Sequence, residues 1–437
     1  MEQLHKIIIA GGGAGGLELA TKLGRRLGRR KRAEITLIDP YWVHVWKPLL
    51  HEVAAGSLDV GEHQLEYLAQ AKRAGFRFRL GRLEGLDRAR QTVCLAPSYD
   101  EEGMEITPRR EFSYDTLVIA VGSISNDFGV PGVREHCLFL DNTGQARRFQ
   151  QRLLGTMLRA HAEGGPFKPG QLDVAIVGGG ATGVELAAQI HDVTRQLSVY
   201  GLDEIQPERD VHYHVIDSNP RILPALPEHI SRSVTRELEE LGVTVHTNER
   251  VVKVTTDALE TKAGTKIPAG IKVWAAGIKA PDFLSEIEGL ETNSFNQLVV
   301  RPTLQTTHDD KIFAMGDCAA CPIEEGSEEL VPPRAQAAHQ QASFLTKAID
   351  RRLKGKPLGT YRYRDYGSLI TLGRHATVGS LMGHLVGSVT VSGFVARMAY
   401  LSLHQMHELT LHGWTRTALQ TLSNLIYRSI DPRVKLH

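Results

Sequence analysis

Residues 6–39 read KIIIAGGGAGGLELATKLGRRLGRRKRAEITLID, and this stretch decides the fold. A β-branched run from Lys6 to Ala10 predicts a strand, the glycines after it predict a tight turn, and the periodicity from Leu17 to about Leu27 predicts a helix. A second strand, Glu34 to Asp39, ends in an acid 23 residues after Gly16. This order of strand, glycine turn, helix and acid predicts a unit that binds a dinucleotide.

The same order of elements occurs a second time. A strand from Asp173 to Val177 precedes GGGATG at 178–183, a helix runs to about Leu197, and a strand from His212 to Asp217 again ends in an acid. In this pattern the first glycine forms the turn, the second admits the pyrophosphate, and the last lets helix and strand pack. A purely structural glycine turn remains the alternative for each copy, but the complete context favours two Rossmann-like dinucleotide-binding domains.

Three later segments predict strands that complete these two units. Thr116 to Gly122 and Lys272 to Gly277 are apolar runs that end in glycine, and Lys311 to Asp317 ends in Gly-Asp. We expect Asp317 to accept hydrogen bonds from a sugar or ribityl hydroxyl, although a turn or cap aspartate would look the same. Because the last strand belongs with the first nucleotide, the second domain is inserted in the first. The expected boundaries are 1–140 and 296–355 for the first domain, 141–295 for the inserted domain, and 356–437 for a C-terminal region.

Composition excludes several classes of protein. The 437 residues hold 51 Lys and Arg against 50 Asp and Glu, so the net charge of +1 offers no general attraction for nucleic acid. Hydrophobic residues at 42% and charged residues at 23% are typical of a folded globular protein. Four cysteines and a first segment that reads as a strand rather than a leader predict a reducing cytoplasm. No apolar run reaches 18 residues, which leaves only peripheral membrane attachment.

The C-terminal region shows an amphipathic pattern. Apolar residues recur at helical spacing, and between Phe394 and His437 five basic residues stand against two acidic ones. This combination suits an anionic lipid surface, while packing on the protein or on a second subunit is the alternative. The basic residues near the end of the first helix are expected to be solvated or to rest on lipid. The apolar stripe consists of Leu411, Trp414, Ala418, Leu419, Leu422, Leu425 and Ile426, and the basic cluster of Arg25, Arg26, Arg29, Arg30, Lys31 and Arg32.

Five strings together are similar to one family of flavoproteins. They are WKPLLHEVAAGSLD (46–59), GGGATGVELAA (178–188), VWAAGIKAPDFL (273–284), GDCAACP (316–322) and PPRAQAAHQ (332–340). With two glycine fingerprints, they resemble bacterial type II NADH:quinone oxidoreductases. The resemblance implies a non-covalent FAD in the first domain, NADH in the inserted domain, and transfer of two electrons to a membrane quinone such as ubiquinone without proton pumping. It also implies a respiratory, peripheral enzyme on the cytoplasmic face of the bacterial inner membrane, and leaves a homodimer open.

The resemblance assigns the site residues one by one. Catalytic roles fall on Glu185, Gln336 and Gln340, and no metal is expected. The FAD residues are Gly11, Gly13, Gly15, Gly16, Asp39, Lys47, Gly122, Asp317, Ala335 and Gln336. The NADH residues are Gly178, Gly180, Gly183, Glu185, Asp217 and Gly277.

Each catalytic assignment has a plainer alternative. Pro332 and Pro333 predict a helix start, and Gln336 and Gln340, four residues apart, share one face of that helix. The resemblance makes this face the quinone pocket, whereas the residues alone favour an ordinary polar face. Glu185 lies near a helix amino terminus, where a carboxylate is stabilised without further function. The resemblance places it at the junction of nicotinamide, flavin and quinone, where it would orient the nicotinamide or pass protons.

The cysteines leave a competing interpretation open. Cys318 and Cys321 follow Asp317 and are expected to be a buried thiol pair, since no second pair of ligands stands where a zinc site needs one. Sulfide:quinone reductases need cysteines around the flavin, and Cys137 with Cys318 or Cys321 keeps that activity as an alternative. A nucleotide-binding sensor or scaffold without rapid turnover is the alternative from another class.

Overall fold

The computed structural model describes residues 4–100, 102–372, 376–381, 389–392 and 408–427. Its strands, numbered along the chain, are β1 His5–Ala10, β2 Ala33–Asp39, β3 Val43–Val45, β4 Gln64–Glu66, β5 Arg77–Leu80, β6 Leu83–Asp87, β7 Thr92–Leu95, β8 Ser98–Tyr99, β9 Glu105–Thr107, β10 Arg110–Ser113, β11 Thr116–Ile119, β12 Ile124–Ser125, β13 Val174–Val177, β14 Tyr213–Ile216, β15 Val243–His246, β16 Val251–Val254, β17 Ala258–Thr261, β18 Lys266–Pro268, β19 Ile271–Trp274, β20 Ile278–Lys279, β21 Leu298–Val299, β22 Ile312–Ala314, β23 Ala319–Ala320, β24 Gly367–Leu372, β25 Ala376–Leu381 and β26 Val389–Ser392.

The helices are α1 Ala14–Leu23, α2 Leu50–Ala55, α3 Val60–His63, α4 Tyr67–Ala74, α5 Val133–His136, α6 Thr143–Glu163, α7 Ala181–Val199, α8 Pro207–Asp210, α9 Glu228–Glu240, α10 Ala335–Arg352 and α11 Trp414–Tyr427. Helix α1 continues into a π-helical turn at Gly24–Gly28, and short 3₁₀ turns occur at Lys47–Leu49, Asp282–Glu286 and Gly316–Cys318. Within the described ranges, no helix is long and apolar enough to cross a bilayer.

Two parallel sheets carry the two glycine fingerprints. The first has the order β22-β11-β1-β2-β5 and the second the order β15-β14-β13-β19. The fingerprint strands β1 and β13 are central in their sheets, and every pairing in both sheets is parallel. Strand β22 returns to β11 after the second sheet is complete, as expected for an inserted unit. The predicted α/β class is confirmed, while the numerical domain boundaries stay predictions.

Apolar strands explain why both sheets are buried. Strand β1 contributes Ile7 and Ile9 at 0% exposure, and β11 contributes Leu117 and Val118 at 0%. Parallel strands with helices on both faces are expected to be apolar nearly throughout. The second sheet has its own core, to which α2 from the first segment of the chain contributes Val53 and its neighbours. The chain before the inserted unit therefore packs partly against that unit.

A short antiparallel pair connects the two units. Residues 124–125 in β12 pair with 278–279 in β20. The indole of Trp274, at the end of β19, also donates to the carbonyl of Asn126 at 2.8 Å. These contacts bring the turn after β11 beside the turn after β19. Ligands of such sheets lie at the carboxyl ends of the strands, so this is where the two predicted nucleotide sites would face each other.

The C-terminal region contains more β-structure than the sequence suggested. Residues 367–372, 376–381 and 389–392 form an antiparallel sheet with the order β24-β25-β26. Helix α11 confirms the predicted C-terminal helix, with Trp414 76% and Leu419 67% exposed. Leu411, assigned to the same stripe, is instead fully buried in the core of the first unit. The side chains of Leu422, Leu425 and Ile426, and the residues 394–407 and 428–437, lie outside the described residues.

Candidate functional site

The first glycine turn leaves room for a ligand at one position only. Gly11 has φ +107°, and a Cβ there would lie 2.2 Å from the Ala120 carbonyl oxygen. A Cβ on Gly16 would lie 1.9 Å from the Gly11 carbonyl, and one on Gly15 would lie 2.5 Å from the Met315 side chain. By contrast, a Cβ on Gly13 would meet no atom of the described chain within 4 Å. The middle glycine therefore faces open space at the amino end of α1, where helix amides attract phosphate.

The second glycine turn repeats this geometry. Gly178 has φ +114°, and a Cβ there would lie 2.6 Å from the Ala275 carbonyl oxygen. A Cβ on Gly183 would lie 2.0 Å from the Gly178 carbonyl. A Cβ on Gly180 would meet none of the described atoms within 4 Å. The second loop therefore has the same open space at the amino end of α7.

The two predicted ribose acids make the same bond to their own turns. Asp39 Oδ2 accepts from the Gly12 amide at 2.6 Å, and Asp217 Oδ2 accepts from the Gly179 amide at 2.6 Å. Burial raises the pKa of Asp39 to about 6, although the Tyr41 and Gly12 amides oppose the shift. Each acid therefore fixes the turn at the edge where an adenosine ribose would lie.

Two side chains that the sequence did not reveal hold the first turn. The Tyr67 hydroxyl donates to the Gly12 carbonyl at 2.8 Å, and His44 Nδ1 lies 3.0 Å from the same oxygen. Tyr67 also stacks on Phe78 with ring centroids 5.0 Å apart. Neither residue belongs to the glycine fingerprint. Each lies far from Gly12 in the sequence and comes beside it only in the folded chain.

The predicted flavin-side residues Lys47 and Asp317 meet at one serine. Lys47 Nζ donates to the Ser123 carbonyl at 3.0 Å, and the Ser123 hydroxyl donates to Asp317 Oδ2 at 2.8 Å. Gln297 Nε2 donates to the Asp317 carbonyl at 2.8 Å. Gly122, next to Ser123, has φ +72°. The fold thus gathers residues from four separate segments at the carboxyl end of the first sheet.

Helix α10 begins at the expected residue, Ala335. Within the described chain, the side chain of the N-cap residue Arg334 accepts no hydrogen bond from the amides of the first turn. Amide N–H groups of that turn can therefore donate to a ligand. Gln336 Nε2 donates to Asp365 Oδ1 at 3.1 Å, and Gln336 Oε1 accepts from the Tyr366 amide at 3.2 Å. Gln340 forms a pair of bonds with the Arg364 backbone at 2.8 and 3.0 Å. Both amides therefore fasten segment 364–367 to the helix.

Glu185, on the second turn of the fingerprint helix, faces a histidine. Its Oε2 lies 3.7 Å from His51 Nδ1, and the exposed fractions of the two side chains are 10% and 3%. Burial lowers the pKa of His51 to about 4, so the imidazole is neutral at pH 7. His51 comes from α2, immediately after the turn that carries Lys47. Glu185 thus lies beside the segment that carries the predicted FAD residue Lys47.

The predicted NADH residue Gly277 is covered by an aromatic ring. A Cβ on Gly277, which has φ +67°, would lie 2.4 Å from Phe128 Cζ. Phe128 itself has φ +51°, rare for an aromatic residue, and 53% of it is exposed. The sequence gives no sign that Phe128 covers Gly277, because the two residues are 149 positions apart.

The cysteines are all free thiols. Cys318 and Cys321 are 0% exposed, which agrees with the expected buried pair. Burial raises the pKa of Cys318 to about 11 and of Cys321 and Cys137 to about 12. Thiols with such values are poor nucleophiles at pH 7. Among the residues that the structure describes, no group of three or more His, Cys, Asp and Glu could hold a metal.

The basic cluster after α1 has protein partners. Arg25 donates to the carbonyls of Thr410 and Leu411 at 2.9 and 2.8 Å, and Arg26 pairs with Asp350 at 2.7 Å. Arg32 pairs with the same carboxylate at 3.1 Å. The cluster is therefore not purely solvated, since part of it anchors the chain that leads into α11.

Comparison with known proteins agrees with this geometry. Residues 5–342 match the model of the pyridine nucleotide-disulphide oxidoreductase family. A type II NADH:quinone oxidoreductase of Haemophilus influenzae is 44% identical over 447 residues, which cover 99% of this chain and 100% of the relative. One of Staphylococcus aureus is 29% identical, covering 86% and 90%. The structure of NDH2 from Plasmodium falciparum in complex with NADH has a TM-score of 0.81 at 18% identity, covering 99% and 100%.

The chain belongs to the pyridine nucleotide-disulphide oxidoreductase family. Within that family its full-length similarity places it among the type II NADH:quinone oxidoreductases, so it is a flavoprotein NADH dehydrogenase. A sulfide:quinone oxidoreductase of Aquifex aeolicus shares the fold, with a TM-score of 0.72 at 18% identity over 98% of this chain and 96% of that one.

Proposed function

We propose that this enzyme passes two electrons from NADH through non-covalent FAD to a membrane quinone, without pumping protons. The observation that carries the proposal is the β12–β20 pair, which sets the turn after β11 beside the turn after β19. Each turn borders a glycine loop with open space at its middle position. Two dinucleotides bound at these loops would therefore bring their reactive rings to one junction.

The first loop fits FAD. Gly13 faces open space that a pyrophosphate would occupy, and Asp39, bonded to the Gly12 amide, would stand at the adenosine end. Lys47, Gly122 and Asp317 would hold the isoalloxazine and ribityl parts, and the first turn of α10 would place a partial positive charge by the reduced ring. When bound, FAD accepts a hydride and delivers two electrons. The remaining FAD residues are Gly11, Gly15, Gly16, Ala335 and Gln336.

The second loop fits NADH. Gly180 would admit the pyrophosphate, Asp217 would accept from the ribose hydroxyls, and Gly277 would border the nicotinamide half. Gly178 and Gly183 shape the loop. Glu185 would orient the nicotinamide or hold a proton at the junction. The protein thus binds, orients and shields the rings, and no side-chain nucleophile is needed.

The quinone site is proposed at the face of α10 that carries Gln336 and Gln340. Both amides hold segment 364–367, so we propose that this segment forms the wall of the quinone pocket and that the glutamines fix its position. Replacing Gln336 or Gln340 by Leu removes these bonds. We expect reoxidation by quinone to slow at least about tenfold while reduction by NADH changes little. Stopped-flow measurement of the two half-reactions tests this, and equal slowing of both would contradict it.

We propose peripheral attachment to anionic lipid on the cytoplasmic face of the bacterial inner membrane. The exposed Trp414 and Leu419 of α11 support an apolar contact, and Arg416 is exposed beside them. Deleting 414–437, which leaves the buried Leu411 in place, should release the protein from anionic liposomes and keep NADH reduction of a soluble acceptor. Flotation with vesicles measures the release. If the shortened chain floats with the vesicles as the full chain does, this segment is not the anchor. Packing of this face against a second copy of the chain in a homodimer is the alternative.

One experiment tests the whole proposal. NADH added without oxygen should bleach the flavin absorbance, and a short-chain quinone should restore it. Bleaching without recovery would favour a sensor or scaffold over a respiratory enzyme. Sulfide in place of NADH should not bleach the flavin, because the raised thiol pKa values disfavour attack by Cys137, Cys318 or Cys321.

A further inference from the structure

An arginine stands at the amino end of α10, where a cation is unfavourable. Arg334 is the N-cap residue of this helix, in extended backbone at φ −141° and ψ 149°. The free amides of a helix give its amino end a partial positive charge, which attracts anions and repels cations. The other end of α10 follows this rule, since Arg351 and Arg352 lie in the last turn. The charge of Arg334 therefore calls for an anion nearby.

That anion is Asp365, on the segment that the two glutamines hold. Arg334 Nη1 lies 3.2 Å from Asp365 Oδ2, and the exposed fractions of the two side chains are 29% and 36%. Asp365 Oδ1 also accepts from Gln336 Nε2 at 3.1 Å and from the Gly367 amide at 2.8 Å. One carboxylate thus bonds an arginine, a glutamine of the first helical turn and the backbone of segment 364–367.

This carboxylate positions its neighbours but has an electrostatic drawback. Its bonds to Gln336 and Gly367 fix the glutamine amide and the turn of segment 364–367. An uncompensated carboxylate at the amino end of α10 would, however, offset the partial positive charge that the proposed function sets beside the reduced flavin ring. It would also repel the negative charge that develops on that ring when two electrons arrive. A cation beside the carboxylate cancels both effects.

We propose that Arg334 neutralises Asp365 and thereby keeps the amino end of α10 positive toward the reduced flavin. Asp365 is a positioning residue for Gln336 and segment 364–367, and Arg334 sets the reduction potential of the flavin through its charge. Neither side chain exchanges a proton or an electron in this role. The inference rests on the proposed function, which sets FAD at this end of the helix.

The midpoint potential of the flavin, measured by anaerobic titration of the holoenzyme with dithionite, tests this role. Arg334→Gln leaves Asp365 unpaired, so the potential should become more negative. The equilibrium constant for flavin reduction should fall roughly two- to fivefold, the range typical of a partly exposed ion pair. Asp365→Asn keeps an oxygen that can accept from Gln336 and Gly367. It leaves Arg334 unpaired, so the potential should become more positive.

The double variant, Arg334→Gln with Asp365→Asn, should have nearly the potential of the unmodified enzyme, because both charges are gone. Arg334→Lys keeps the cation and should keep the potential. Arg362→Gln is the matched control, because Arg362 lies two residues from the Gln340-bonded Arg364 but pairs with Glu324 at 2.9 Å and is 75% exposed. It should leave the potential unchanged.

Salt separates an effect of charge from a displaced helix. The Debye length falls from about 30 Å at 0.01 M salt to about 3 Å at 1 M, so the shifts of the two single variants should shrink as salt is added. A shift caused by movement of α10 would persist at high salt.

The signs of the shifts decide the outcome. If Arg334→Gln and Asp365→Asn move the potential in the same direction, or if neither moves it, the charge role is wrong. It is equally wrong if Arg334→Lys behaves like Arg334→Gln or if the shifts persist at high salt. The titration needs neither NADH nor quinone. Failure of quinone to reoxidise the flavin would therefore overturn the proposed function alone, whereas a protein purified without flavin would overturn both.

Discussion

The two glycine units have nearly the same sequence and different surroundings. Both read GGGAxG followed by an apolar residue and Glu-Leu-Ala, and both acids, Asp39 and Asp217, bind their turns at 2.6 Å. The glutamates two residues after the last glycine differ. Glu18 is fully buried and neutralised by Lys22, whereas Glu185 faces a neutral histidine. A repeated local motif therefore fixes the shape of the two turns, and long-range partners decide which groups lie beside each glutamate.

The largest expected effect comes from the middle glycines. Gly13 and Gly180 have φ −60° and −77°, so a valine at either position strains no backbone and clashes only with a bound pyrophosphate. Gly180→Val should abolish NADH oxidation with FAD retained, and Gly13→Val should lose FAD. Flavin absorbance and NADH oxidation measure both, and dithionite should still bleach Gly180→Val. Loss of FAD from Gly180→Val with NADH affinity intact would reverse the two assignments.

The second prediction compares the same substitution, glutamate to glutamine, at Glu18 and at Glu185. Glu18→Gln removes the buried partner of Lys22 and should lower the free energy of unfolding by about 1–3 kcal/mol, with turnover per folded molecule unchanged. Glu185→Gln should change stability less and slow quinone turnover at least about tenfold. Thermal unfolding and steady-state rates measure the two quantities. Equal effects of both variants on turnover would remove the distinction between the units.

The smallest effect concerns the choice of cofactor. Asp217 should repel the 2′-phosphate of NADPH, and Ser218, Asn219 and Pro220 provide no cation. Arg221 is occupied by the carbonyls of Leu223, Pro224 and Leu226. We expect kcat/KM for NADH to exceed that for NADPH at least about tenfold. In Asp217→Asn the ratio of the two kcat/KM values should be smaller. Equal values in the unmodified enzyme would overturn this prediction.

Part of the site could not be read from the sequence. Tyr67 and His44 hold the first turn from 55 and 32 residues away, and His339 reaches Glu18 across 321 residues. Gln336 and Gln340 were correctly placed on one helix face, but their bonds to segment 364–367 depend on packing.

The sequence by itself determined both glycine loops, their acids and the start of α10. These features depend on local backbone requirements: a positive φ at Gly11 and Gly178, contact too close for a Cβ at Gly16 and Gly183, and proline before a helix. Only the tertiary structure decided that Glu185 meets His51 while Glu18 meets Lys22 and His339. The reason is physical, because identical motifs impose identical turns, whereas the charge beside each carboxylate comes from whichever distant segment packs against it.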